Sequence, residues 1–343
     1  MASTIARSAA ADSSVAVRDS GEADVDVVEG AAEIFTADNQ AVAGLLLGAG
    51  EGRMIDEQGR ISNPPASSRN RNYRAMLPDR IVDYRTADRD ADQPDALLDV
   101  TVQRGGKIYR YDVDELIGFD LMHFQAGKNA ANLTTTLDQP DPPVGDGSRT
   151  RAAFLDRDAL LSTGVLNPGG AVDPLTTDPN WTHPDKAHRT PGFAVRFHQP
   201  IVNDAGPDIV FFDLHVVVHP ENGDPFHVSP TRFEPGLRSH TVRKYDISLA
   251  HRSAHQLTGF RLCGFESSPR SLEDLLTQKH NGGLPHQVPA KAIAVGIDLS
   301  DLGYAAGEEV TELFFQDALD DENKFDPVFL GGLPANTTPT LPE

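Results

Sequence analysis

The run Asp208-Ile-Val-Phe-Phe-Asp-Leu-His-Val-Val-Val-His219 constrains the fold more than any other part of the chain. Successive side chains of a strand point to opposite faces. Val210, Phe212, Leu214, Val216 and Val218 therefore share one face, and Phe211, Asp213, His215, Val217 and His219 share the other. The first set is wholly apolar and enters a core near the centre of a sheet; the second is mixed. Shorter runs of the same kind recur at 80–85, 97–103, 107–111, 116–124, 193–198, 256–263, 292–299 and 309–316, each bounded by Gly, Pro, Asn or Asp. Turns such as ENGDP at 221–225 and QRGGK at 103–107 suit hairpins, and no βαβ rhythm is present.

Helix is scarce. Ser271, with Asp274 three residues on and an apolar pair after it, is a capping-box pattern that predicts a two-turn helix from 271. The fold class is thus all-β, an antiparallel β-sandwich over 75–334 with one short helix and extended tails. Residues 1–74 read as an acidic N-terminal segment and linker, largely disordered or a short added strand. The first 60 residues carry eleven acidic and four basic side chains, and SNPPASSRNRNYR closes the segment. Residues 335–343 read as a C-terminal tail.

The chain of 343 residues carries 30 basic and 51 acidic side chains, net −21. Affinity for phosphate backbones comes from clustered Lys and Arg, so this balance argues against nucleic acid and suits a dispersed, acidic protein. No apolar run reaches the roughly 18 residues that cross a bilayer, and the sequence shows no export signal as written. The single Cys263 makes no intrachain disulfide, so the fold stands on its core.

Three groups of side chains could carry chemistry. Asp208, Asp213, His215, His219 and His227 gather on the long strand and the next turn. Asp213 and His215 point the same way, which supplies two metal ligands where zinc or copper needs three or four; the alternative is the wet face of an edge sheet. Asp298, Asp301, Asp317, Asp320 and Asp321 lie either side of the strand at 309–316. Two loops meeting at one end of a sandwich would offer calcium the oxygens it prefers; the alternative is a set of solvated turn acids. Trp181, His183, Lys186, His188 and Arg189 stand together in the polar loop DPNWTHPDKAHR, with the components of a sugar site: an aromatic face and hydrogen-bonding side chains. The alternative there is that Trp181 packs against the sandwich. There is no Gly-x-Ser-x-Gly nucleophile elbow, and no catalytic set is assigned.

FHQPIVNDAGPDIVFFDLHV at 197–216, AIAVGIDLSDLGYAAGEEVTELFFQD at 292–317 and DPVFLGGLP at 326–334 resemble stretches of bacterial secreted and cell-surface β-sandwich proteins of the sorting-tail type. The resemblance spans about 190–334. It implies a galactose-binding-like, discoidin-like jelly roll and an extracellular or cell-envelope setting, and carries over no ligand residue. The expected role is a non-catalytic binding or structural protein, possible partners being a glycan or cell-surface polymer and further copies of the chain. The alternatives are a self-assembling surface or filament subunit, and a polysaccharide-acting enzyme using paired carboxylates.

Overall fold

The computed structural model describes residues 5–17, 23–35, 45–48, 52–55, 61–62, 78–87, 96–127, 133–136, 159–161, 168–218, 223–257, 261–265, 269–277, 280–285, 289–320 and 325–335. The chain divides into two compact units, Met1–Pro78 and Asp79–Glu343.

In the first unit, β1 (Ile5–Val17) and β2 (Ala23–Phe35) form a long antiparallel hairpin. The other edge of β2 takes β3 (Leu45–Gly48) and β4 (Gly52–Ile55) along successive stretches, and β5 (Ile61–Ser62) pairs with β4. The Val25 and Val27 alternation falls inside β2, where Val25 pairs with Val15.

The second unit is layered. Its five-stranded sheet contains β9 (Phe119–Gln125), β11 (Gly192–Val202), β13 (Phe226–Pro230), β14 (His240–Val242) and β19 (Glu309–Asp317), in the order β14-β13-β19-β11-β9. A four-stranded sheet of β12 (Ile209–Val216), β15 (Gln256–Leu257), β18 (Ala290–Ile297) and β20 (Pro327–Gly332) runs β15-β18-β12-β20. Between these two sheets lies a core in which the Phe211 ring stacks on Phe226 at 4.6 Å and Phe193 stacks on Phe315 at 5.1 Å. A third sheet, β6 (Arg80–Thr86), β7 (Leu97–Arg104) and β8 (Lys107–Asp112), covers the other face of the four-stranded one through a second core that includes Val100, Val102, Tyr84 and Phe212. A further small sheet joins β10 (Leu133–Thr136), β16 (Arg261–Phe265) and β17 (His280–Pro285). All the pairings among the described residues of this unit are antiparallel except an isolated parallel bridge between Gly170 and Asp317. The architecture is the expected antiparallel β-sandwich.

The middle position of the four-stranded sheet changes the reading of the long strand. β12 is paired on both edges, by β18 and β20, and covered on both faces. Val210, Phe212 and Leu214 face the second core and Ile209 and Phe211 the first, so the face expected to be mixed is buried as well. Burial ends sooner than the alternation does. Val216 is half-buried and Val218 is 76% exposed, because the chain leaves the sheet after Val216.

The helix forms as the cap predicts: α1 (Leu272–Thr277) begins after Ser271. The Asp274 amide donates to Ser271 Oγ at 3.3 Å and the Ser271 amide donates to Asp274 Oδ2 at 3.1 Å.

Candidate functional site

The most constrained polar cluster lies inside the sandwich. Parity sends Asp213 and His215 to the same side of β12 as Phe211, into the space between the two main sheets. Gly223, with φ +78°, turns the chain so that Asp224 enters the same space just before β13. Asp213 is 0%, His215 1% and Asp224 5% exposed. His215 Nδ1 lies 3.4 Å from Asp224 Oδ2 and 3.9 Å from Asp213 Oδ2, and one donor atom from each of the three residues falls within 4.8 Å of the others.

Pro327 explains how Asp213 is held. Proline offers no amide to a sheet ladder, and the β12–β20 register shifts where Asp213 faces Pro327. The preceding Asp326 amide donates to Asp213 Oδ1, and the Leu214 amide donates to the Asp326 carbonyl at 2.9 Å. Asp213 Oδ2 has no hydrogen-bond partner among the described residues.

Burial, followed by the charges of Asp326 and Asp224, pushes the Asp213 carboxyl well above its usual range, with Asp317 adding to the shift. Burial, followed by the same four carboxylates, raises the Tyr245 phenol, whose hydroxyl donates to the Asp224 carbonyl at 3.2 Å. Two sheets contribute to this concentration of acid: Asp213 and Asp326 come from β12 and the residue before β20, Asp224 and Asp317 from the turn before β13 and the end of β19. Isolated buried charge is strongly unfavourable. The Asp213, His215 and Asp224 cluster could hold a metal ion.

The other members of the first sequence group go elsewhere. Asp208 sits at the opposite end of β12 in a buried ion pair with Arg104, whose Nη2 donates to Asp208 Oδ1 at 2.9 Å. The amides of Asp204 and Leu299 also donate to its carboxylate. His227 points out of the sandwich, with Nδ1 2.9 Å from Thr241 Oγ1 and Nε2 3.1 Å from the Ala171 carbonyl. His219 lies outside the described residues.

The four described acids of the five expected to meet around calcium do not converge. Asp298 caps a short 3-10 turn before β19, its Oδ1 accepting from the Ser300 amide at 2.8 Å, and exposed Asp301 lies 3.9 Å from His240 Nε2. Asp317 closes β19, eight residues beyond Glu309, or about 26 Å along a strand. A strand's length, invisible in spacing alone, puts the two loops at opposite ends of the sandwich. Asp317 instead joins the buried acidic centre, Asp320 is exposed and Asp321 lies outside the described residues.

The polar loop around Trp181 covers the outer face of the five-stranded sheet. Trp181 is half-buried and packs edge-on against His123 of β9 and Phe314 of β19, at 5.4 and 6.2 Å between ring centres. Its rings are used in packing. His183 accepts from the Asp185 amide and its carbonyl accepts from Arg189 Nε. Lys186, His188 and Arg189 line a cleft of about 1060 Å³ whose floor includes Gln125 and Gln316. Neither glutamine stood out in the sequence, and nor did Asp224, which reads there as an ordinary turn acid.

No family model, curated protein or solved structure matches this chain.

Proposed function

We propose that this chain is a non-catalytic binding protein whose sandwich is fastened by one divalent ion at Asp213, His215 and Asp224. The observation that carries the reading is the spacing of three buried donors drawn from both sheets. Ligands about 2.1 Å from a tetrahedral ion stand about 3.4 Å apart, close to the 3.4 and 3.9 Å found here. Calcium prefers an all-oxygen shell, whereas an imidazole between two carboxylates suits a first-row ion such as zinc or manganese. Donors this enclosed leave no approach for a substrate, so the ion's role is structural: it offsets the mutual repulsion of the acids and ties β12 to the segment leading into β13.

The further reading is a jelly roll on a cell surface, and two features support the jelly roll. From β11 onward the chain alternates between the two main sheets: β11, β12, β13 with β14, β15 with β18, β19, β20. Ile117, just before β9, exchanges two backbone hydrogen bonds with Gly332 of β20. Two interlocked Greek keys give this kind of order. No helix among the described residues is long and apolar enough to cross a membrane.

The test is elemental analysis of purified protein with thermal melts. One equivalent of a transition ion, and a melting temperature that falls on chelation at fixed ionic strength, support the proposal. A metal-free protein whose melt ignores zinc and manganese overturns it.

A further inference from the structure

We infer that the cleft on the outer face of the five-stranded sheet is a binding site for a hydroxylated carboxylate of the uronic-acid type. The inference rests on the binding role proposed above and not on the ion.

The floor of the cleft is built by strand register. Gly192 of β11 pairs with Gln125 of β9 on one side, and the pairing of Phe193 with Phe315 places Gln316 of β19 on the other. A glycine therefore stands between two glutamines. Its φ is +141°, and a Cβ there would come within 2.4 Å of the Phe315 carbonyl oxygen, so the position accepts no side chain. Two strand spacings separate the glutamines, about 10 Å.

Gln125 is 3% and Gln316 0% exposed, and both line the cleft. Gln316 Nε2 donates to the Pro191 carbonyl at 3.0 Å and Gln125 Nε2 to the Ala126 carbonyl at 3.3 Å. These bonds orient each amide, and both Oε1 atoms, themselves buried, lack a hydrogen-bond partner among the described residues. Buried acceptors are costly unless something donates to them. A sugar hydroxyl donates; a phosphate dianion or sulfate does not.

The rim asks for the opposite character. Lys186, Arg189 and Arg270 border the cleft, with His188 beside them. Asp274, the one carboxylate among the described lining residues, is engaged by the amides of Arg270 and Ser271, and Asp185 pairs with His188 at 2.9 Å. In a chain of net charge −21 this is a local concentration of cations. Guanidinium matches the planar carboxylate in two parallel hydrogen bonds. Hydroxyls on the floor and a carboxylate at the rim describe a sugar acid, and a volume at the upper end of the range for ligand clefts accommodates a short oligomer.

Calorimetric titration of the full chain tests this, with galacturonate, its trimer, a neutral galactose trimer and sulfate as probes. The uronate trimer is expected to bind at least tenfold more tightly than the neutral trimer. Binding of the monomer as well points to a free sugar acid, and binding of the trimer alone points to a polymer. Lys186→Met with Arg270→Gln, both at exposed positions, should weaken uronate at least tenfold with an unchanged melt, and Gln125→Leu should weaken both uronates. No uronate binding, equal binding of the neutral trimer, displacement of uronate by equimolar sulfate, or unaltered affinity in the variants overturns the assignment. Metal content measured on the same sample shows whether the ion is present, so failure here is distinguishable from failure of the metal proposal.

Discussion

Gln316 and Asp317, neighbours at the end of β19, point to opposite faces of the five-stranded sheet: Gln316 floors the outer cleft and Asp317 adds its charge to the acidic centre between the sheets. One peptide unit therefore joins the two sites.

Asp213→Asn is expected to abolish ion binding while preserving the fold. A ligand at a hundred times its Kd stabilises the native state by about 2.7 kcal/mol, which for a unit of this size is about 5–10 °C in melting temperature. The native chain should show that rise with zinc or manganese, and the variant should not. An equal rise in both would remove Asp213 from the site.

Arg104→Met should cost about 3–5 kcal/mol, since it leaves a buried carboxylate without its counter-charge. Arg104 also donates through Nη1 to the Pro334 carbonyl at 2.9 Å, tying the end of β7 to the chain after β20. Adding Asp208→Asn removes the orphaned charge, so the double variant should lose less than the sum of the single losses. Denaturant unfolding of the four proteins checks this, and strict additivity would mean that the pair is not coupled.

Leu214→Asp should leave no cooperatively folded protein. Leu214 is buried in the second core, facing the sheet formed by β6, β7 and β8, and an unpaired charge there costs several kcal/mol. Circular dichroism melts suffice to check it; an unchanged transition would mean that β12 is not the shared middle strand.

Much of this was legible in the sequence. Period-two alternation at 209–216 located the central strand, and the Ser271 and Asp274 pair located the helix, because both signals are local. The second covered face of β12 was not legible: an apolar set alternating with Phe, Asp and His reads as half-solvated unless one knows that β6–β8 and the five-stranded sheet pack on its two sides. The acidic centre was half legible. Asp213 and His215 share a strand face, but Asp224 and Asp317 arrive from other strands, and spacing carries no information about where separate strands end. Gln125 and Gln316 are ordinary polar residues until strand register sets them either side of Gly192.

His123 gives the fold a measurable acid limb. Burial, assisted by the Arg189 charge, lowers its pKa to about 4 from the usual 6.5. Between those values the unfolded chain binds a proton that the folded chain refuses, so this residue's contribution is present above about pH 6.5 and is lost as pH falls towards 4. Allowing for its partly exposed ring, the loss is about 1–2 kcal/mol. His123→Gln should flatten that part of the stability profile. A profile as steep in the variant as in the parent would assign the limb to other groups.

Gly170→Ala tests how the loop over the cleft is clipped to the sandwich. Gly170 forms the parallel bridge with Asp317, flanked by hydrogen bonds from the Ala171 amide to the Asp317 carbonyl at 3.1 Å and from the Asp317 amide to the Gly169 carbonyl at 3.3 Å. A Cβ at Gly170 would lie 1.9 Å from the Asp317 carbonyl oxygen, and main chain at the end of a paired strand cannot turn aside as a side chain can. Overpacking of this kind costs about 1–3 kcal/mol. Gly118→Ala is the control, since its nearest obstacle is the ring of exposed His198 at 3.0 Å, which can move. Because the strain falls on the clip, the Gly170 variant should also expose Lys186 and Arg189 to trypsin earlier than the parent. Faster cleavage at those two sites with a lowered melt is the expected result; a lowered melt with unchanged cleavage would mean that the bridge stabilises the sheet without holding the loop.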